Sequence, residues 1–179
     1  YASQTSTAGC ESTLRLDVTA TVNTTPGAPT GTSAQSFCSG SSPTVAELTA
    51  TGTSIKWYDS GSGGSLLGSS TTLTNGTHYY ASQTSAAGCE SIFRFDVTAT
   101  INTTPGAPTG SAIQAFCSGT SPTVANLIAT GTTIKWYDAA TGGNLLASST
   151  SLVNGNHYFA SQTSVAGCES ILRLDVTAS

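Results

Sequence analysis

The sequence is short of charge, of methionine and of apolar runs, and each shortage excludes something. Only 8% of its residues are Asp, Glu, Lys or Arg, and the net charge is −4. That balance lacks the basic footprint by which nucleic acid or an anionic membrane surface is bound. No long apolar run offers a membrane-spanning helix, and no basic and then apolar leader opens the chain. With no methionine either, the sequence reads as a piece of a longer polypeptide whose targeting signal and anchor lie elsewhere. Low charge alone would suit disorder, but disordered chains lack regularly spaced aromatic and β-branched residues. This chain has both.

What is present is repeated. Gly-Cys-Glu-Ser stands at 9–12, 88–91 and 167–170, so Cys10, Cys89 and Cys168 follow one another at 79 residues. Cys38 and Cys117, Trp57 and Trp136, and His78 and His157 keep the same 79-residue interval. A fixed period is the signature of a tandem array, and laying 27–100 over 106–179 gives about 70% identity. The expected organisation is the C-terminal strands of a truncated repeat at 1–25, then complete repeats at 26–104 and 105–179. The segment Asn-Thr-Thr-Pro-Gly-Ala-Pro-Thr-Gly occurs at both 23–31 and 102–110 and reads as a linker, its two prolines limiting the hinge.

Within a repeat the period is two. In 92–101, Phe93, Phe95, Val97, Ala99 and Ile101 alternate with Arg94, Asp96, Thr98 and Thr100, as in a half-buried strand. Leu14, Leu16 and Val18 precede this pattern and Leu172, Leu174 and Val176 follow it. Segment 53–59 places Ile55 and Trp57 on one face and Lys56 and Tyr58 on the other; 77–84 is a further strand. Segment 44–51 reads as a strand with Ala46, Leu48 and Ala50 inward, and Glu47 (Asn126 in the next repeat) facing solvent. Residues 60–65 and 74–76 are turns. No helical period is sustained, so each repeat is predicted to be a sandwich of two antiparallel sheets.

The run from Phe37-Cys38 through Lys-Trp-Tyr-Asp, the paired glycines and Tyr79-Tyr80 to Gly-Cys-Glu-Ser resembles the Ig-like repeats of giant cell-surface adhesins of Bacteroidota, of the gliding-motility, type IX-secreted kind. The resemblance covers nearly the whole chain. It implies an all-β fold of tandem immunoglobulin-like antiparallel β-sandwich domains in an extended array, outside the cell at its surface.

Five cysteines leave one over. Pairing within repeats, Cys38–Cys89 and Cys117–Cys168, leaves Cys10 unpaired by truncation; pairing between repeats, Cys10–Cys38 and Cys89–Cys117, leaves Cys168. The first is favoured because a small domain needs its own staple, and either implies an oxidising compartment. The sequence offers no zinc site, having no paired-cysteine motif and one histidine per repeat. His78 and His157 read as surface strand residues without a nucleophile nearby. Asp59 and Asp138 read as Asx-turn residues rather than calcium ligands. Asn23, Asn75 and Asn102 open sequons that a bacterial protein has no use for. Lys56 and Lys135 alternate outward, away from any isopeptide partner in the core.

No catalytic residue, cofactor or metal is therefore expected. The leading function is a structural stalk or filament segment that presents a distal adhesive region for attachment or gliding, its partners being neighbouring repeats of the same chain. The alternatives are a weak multivalent polysaccharide-binding module, with Tyr58 and Tyr137 as the exposed aromatics, or a spacer in a secreted polysaccharide-degrading enzyme.

Overall fold

The computed structural model describes residues 1–179. Strands β1 (Ala34–Cys38), β2 (Lys56–Tyr58), β3 (His78–Ser82) and β4 (Phe95–Asn102) form a four-stranded sheet in the order β1-β4-β3-β2. Strands β5 (Ile113–Gln114), β6 (Ile134–Tyr137), β7 (His157–Gln162) and β8 (Leu174–Ala178) repeat that order in a second sheet, β5-β8-β7-β6. The chain is all-β, with Ig-like domains in tandem. Strands β2, β3 and β4 pair antiparallel, whereas β1 lies parallel to β4 with Ala34 opposite Thr98 and Cys38 opposite Asn102.

The alternation read from the sequence sets the faces of these strands. Trp57, Tyr79, Ala81, Val97 and Ala99 are buried from one side of the first sheet, with Ile55, Phe95 and Ile101 packed around them. Each large side chain removed from water in this way stabilises the fold by about 1.5–3 kcal/mol. Phe93 departs from the pattern: it precedes β4 and is 74% exposed, as Leu172 is in the second unit at 71%. Leu14, Leu16 and Val18, expected on an inner face, are exposed as well. Residues 1–25 hold the isolated bridges Ala2–Leu16 and Thr5–Glu11 and no regular strand.

The layer facing each sheet is irregular, where a second regular sheet was expected. Isolated bridges Thr30–Thr51 and Thr44–Thr72 hold it together. Segment 44–51 is not a strand: Val45–Glu47 is one turn of 3-10 helix that buries Val45 and Leu48 and leaves Ala46 exposed. The reason is a capping box, in which the Glu47 carboxylate accepts a hydrogen bond from the Thr44 amide and the Thr44 hydroxyl caps the turn. Asn126 does the same for Thr123. Thr-x-x-Glu was legible in the sequence, and the three-residue spacing of Val45 and Leu48 with it. Buried Gln35 ties this layer to β1 by donating to the Thr32 and Thr49 carbonyls and accepting from the Thr49 amide.

Candidate functional site

The Gly-Cys-Glu-Ser hairpin lies at the end of each sheet where β4 and β8 begin, and its glycine, glutamate and serine have the same tasks in both units. Gly88 takes the left-handed conformation at φ +83°, which a side chain would strain, and its amide donates to the Ser85 carbonyl. Ser91 accepts from the Gln83 amide through its hydroxyl. Glu90 reaches across to β2 and accepts hydrogen bonds from Lys56 Nζ at 2.6 Å, Tyr58 OH at 2.7 Å and Ser82 Oγ at 2.6 Å. These donors, Lys56 foremost, hold its carboxyl at about 2, and the same contact raises the Lys56 ammonium and the Tyr58 phenol above their ordinary values. Glu169 repeats the arrangement with Lys135, Tyr137 and Ser161. There burial pushes the carboxyl up, and the three hydrogen bonds outweigh it to leave a value of about 2. Lys56 does face outward, as the alternation required, and its partner is a carboxylate on the surface.

Above Tyr58 lies Arg94, its guanidinium carbon 3.5 Å from the ring centroid, while Nη1 donates to the Ser60 and Gly63 carbonyls. Arg173 covers Tyr137 at the same 3.5 Å and donates to Ala139 and Gly142. The outer tyrosine face is thus occupied by the protein's own cation. Asp59 accepts from the Ser65 amide at 2.7 Å and Asp138 from the Asn144 amide at 2.6 Å, closing the glycine-rich turn as Asx residues do. His78 and His157 each bond a strand carboxylate, Asp96 and Asp175, at 2.8 Å in half-exposed positions. Asn75 accepts from the Ile101 amide, Asn102 ends β4, and Asn23 is exposed. None of these groups lies beside a nucleophile and base arranged for chemistry.

The remaining residue of the hairpin is the cysteine, and here the structure departs from both pairings drawn from the sequence. Cys38 is bonded to Cys168 of the following unit, over a separation of 130 residues, and Cys10, Cys89 and Cys117 are free thiols. Cys38–Cys89 and Cys117–Cys168 do not form. The parallel pairing of β1 with β4 gives the reason. Cys38 stands beside Asn102, the last residue of β4, while Cys89 lies ahead of Phe95, the first. An eight-residue strand separates them by roughly 25 Å at 3.3 Å per residue, several times the Cα separation a disulfide spans. Cys89–Cys117 and Cys10–Cys38 do not form either. The end that carries Cys38 meets the hairpin that carries Cys168, which is buried there, with Sγ 3.9 Å from the Asn102 carbonyl oxygen.

The rest of this junction is equally specific. A Cβ on Gly40 would fall 2.7 Å from Ile171 Cδ1 and 2.9 Å from Thr104 Oγ1, so a larger residue would have to displace the side chains of the incoming hairpin and the connector. The Thr104 amide donates to Ser39 Oγ, and the Gly40 amide donates to Thr104 Oγ1. Two residues on, the Gly106 carbonyl accepts from Gln162 Nε2, and Thr109 pairs with Thr130. The connecting segment is therefore tied to the first unit through Thr104 and to the second through Gly106, with Pro105 between. Gly40, Thr104 and Ile171 were not singled out from the sequence, and only their place beside a cysteine could have marked them.

The comparisons with known proteins agree with this architecture. The family model described as "Ig-like domain CHU_C associated" matches twice, over residues 26–102 and 105–179. No curated protein matches the chain. Domains of this kind are generally non-catalytic and typical of extracellular proteins. No helix is long and apolar enough to cross a membrane. With both units matched and their order, sheet topology and hairpin repeated, the chain belongs to the family of Ig-like CHU_C-associated domains.

Proposed function

We propose that this chain is a structural segment of the stalk or filament of a large bacterial cell-surface adhesin, and that its repeats hold a distal adhesive region away from the cell. The observation that carries this is the junction. A disulfide, an interlocked glycine and a connector bonded on both sides fix one unit to the next, as a spacer needs and a set of independent binding modules does not. The boundaries follow from the same reading, with units at 26–104 and 105–179 meeting at Pro105. The bond also gives force a covalent route, from the end of β1 at Cys38 to the hairpin at Cys168 that leads into β8.

The alternative of a polysaccharide-binding module needs exposed aromatic faces, and Tyr58 and Tyr137 spend theirs on Arg94 and Arg173. Small-angle X-ray scattering on the oxidised chain tests the stalk. Two units set end to end give an elongated particle whose longest dimension is about twice that of one unit, since each advances by the length of its strands. A compact particle, its units folded side by side, would overturn the reading.

A further inference from the structure

Each unit has a socket at one end and a plug at the other, and in this chain one socket and one plug are joined while another of each is open. The socket of the first unit is Cys38 with Ser39, Gly40 and Ser41; the plug of the second is the hairpin carrying Cys168 and Ile171. By the 79-residue period, Cys117, Ser118 and Gly119 make the same socket on the second unit, and Cys89 and Ile92 the same plug on the first. We infer that Cys117 accepts the hairpin cysteine of a following repeat and Cys89 the first-strand cysteine of a preceding one, in the same polypeptide, so that the array is stapled between repeats at each boundary.

The comparison of equivalent atoms supports this. Gly40 is covered by Ile171 and Thr104, whereas a Cβ on Gly119 would meet nothing within 4 Å. Both positions carry glycine; at Gly40 the crowding comes from Ile171 of the next unit's hairpin together with Thr104 of the connector. Cys168 is fully buried, while Cys89 is half-buried; the isoleucines beside them, Ile171 and Ile92, are 61% and 77% exposed. Cys117 is exposed in a socket whose 3-10 turn ends in the same left-handed serine, Ser121 at φ 48° against Ser42 at φ 50°. The partner is thus a hairpin with a cysteine at its tip and a branched apolar residue three positions on, as Cys168 and Ile171 are placed. That is another repeat of this family. The inference holds whatever the array carries at its tip, and so stands apart from the stalk.

Closure is an oxidation. The Cys117 thiolate attacks the disulfide of a thiol–disulfide oxidoreductase or of oxidised glutathione, expelling one thiolate and forming a mixed disulfide. The hairpin thiolate then attacks Cys117 Sγ and expels the second. Two protein thiols lose two protons and two electrons, and the oxidant's disulfide becomes two thiols.

The test extends the chain after Ser179 by a second copy of residues 101–179, which keeps the period because Ser179 corresponds to Thr100. The extended chain is refolded in a buffer of reduced and oxidised glutathione, its free thiols are alkylated, and its peptides are mapped without reduction. The expected map links Cys38 to Cys168 and Cys117 to the appended copy of Cys168. Cys117 recovered alkylated, or linked within its own repeat, would overturn the inference. Gly119→Ala gives a second readout that folding failure cannot mimic. It should leave the present chain unchanged, yet lower the equilibrium constant for Cys117 closure in the extended chain by about tenfold, as overpacking of a formed contact does. Equal closure with and without Gly119→Ala would show that the hairpin seats elsewhere. The present chain incubated alone should remain monomeric; a Cys117–Cys89 dimer would assign the socket to a second molecule instead.

Discussion

The end of the first unit that carries Cys38 and the end of the second that carries Cys117 have nearly the same sequence and different structures. Ala-Gln-Ser-Phe-Cys forms a five-residue strand paired along its whole length with β4, and Ile-Gln-Ala-Phe-Cys forms a two-residue strand on β8. In the first unit, Ser36, Phe37 and Cys38 lie opposite Thr100, Ile101 and Asn102, the last three residues of β4. β8 ends at Ala178. The lesson is that the strand at this edge is made by its partner. Its own residues allow the extended conformation, and the residues present on the neighbouring strand decide how far it pairs. The cysteines behave alike: Cys38 is held beside its partner by the junction, and Cys117, with the same neighbours in sequence, is an exposed thiol.

The sharpest way to break this comparison is to cut the joined end. Cys38→Ser, or reduction, should make the joined end resemble the open one. Pulled from its termini in a single-molecule experiment, the oxidised chain routes force through a bond that bypasses the residues between Cys38 and Cys168. Loss of that 130-residue shortcut should lengthen the fully extended chain by about 450 Å. The same change removes about 5 kcal/mol of restraint on joint unfolding in the chain-entropy account. Equal extension before and after reduction would show that the bond carries no load.

A smaller effect separates the two hairpins. Glu169→Gln and Glu90→Gln should each cost their own unit about 1–3 kcal/mol, since each removes a charged acceptor of three hydrogen bonds. Only Glu169→Gln should also slow formation of Cys38–Cys168, because only that hairpin delivers a cysteine to a socket in this chain. The pH dependence has a definite sign. Both carboxyls are depressed from 4.5 to about 2, so their contribution is complete above the ordinary carboxylate value and is lost as pH falls through about 2. Thermal melts between those limits should fall steeply for the native chain and less for either variant. Parallel pH profiles for native and Glu90→Gln chains would remove this cluster as the source.

The smallest effect compares the two glycines directly. Gly40→Ala should hinder closure of Cys38–Cys168, because Thr104 and Ile171 must yield to the new methyl group. Gly119→Ala should lie within about 0.5 kcal/mol of the native chain, as substitutions at open surface positions do. Chemical denaturation with thiol counting at each step reads both quantities.

Much of this was legible in the sequence. The period announced two like units, and the alternation in β2 and β4 placed Trp57, Val97 and Ala99 inward and Lys56 and Tyr58 outward, because side-chain direction in a strand is a local property of period two. The 3-10 turn at Val45–Glu47 was legible too, through Thr-x-x-Glu, had its capping signal been weighed against the alternation. The roles of Glu90 and Arg94 were not, since nothing in the spacing says that the hairpin folds back over the Lys-Trp-Tyr strand. The disulfide was decided wholly by tertiary structure. Sequence supplies five cysteines and a period, and nearest-neighbour pairings satisfy both. Which sulfurs meet depends on β1 running parallel to β4, which carries Cys38 to the far end of its sheet, out of reach of Cys89 and up against the hairpin of the next unit. A covalent bond needs its atoms within a few ångströms, and only the fold determines which ends those are.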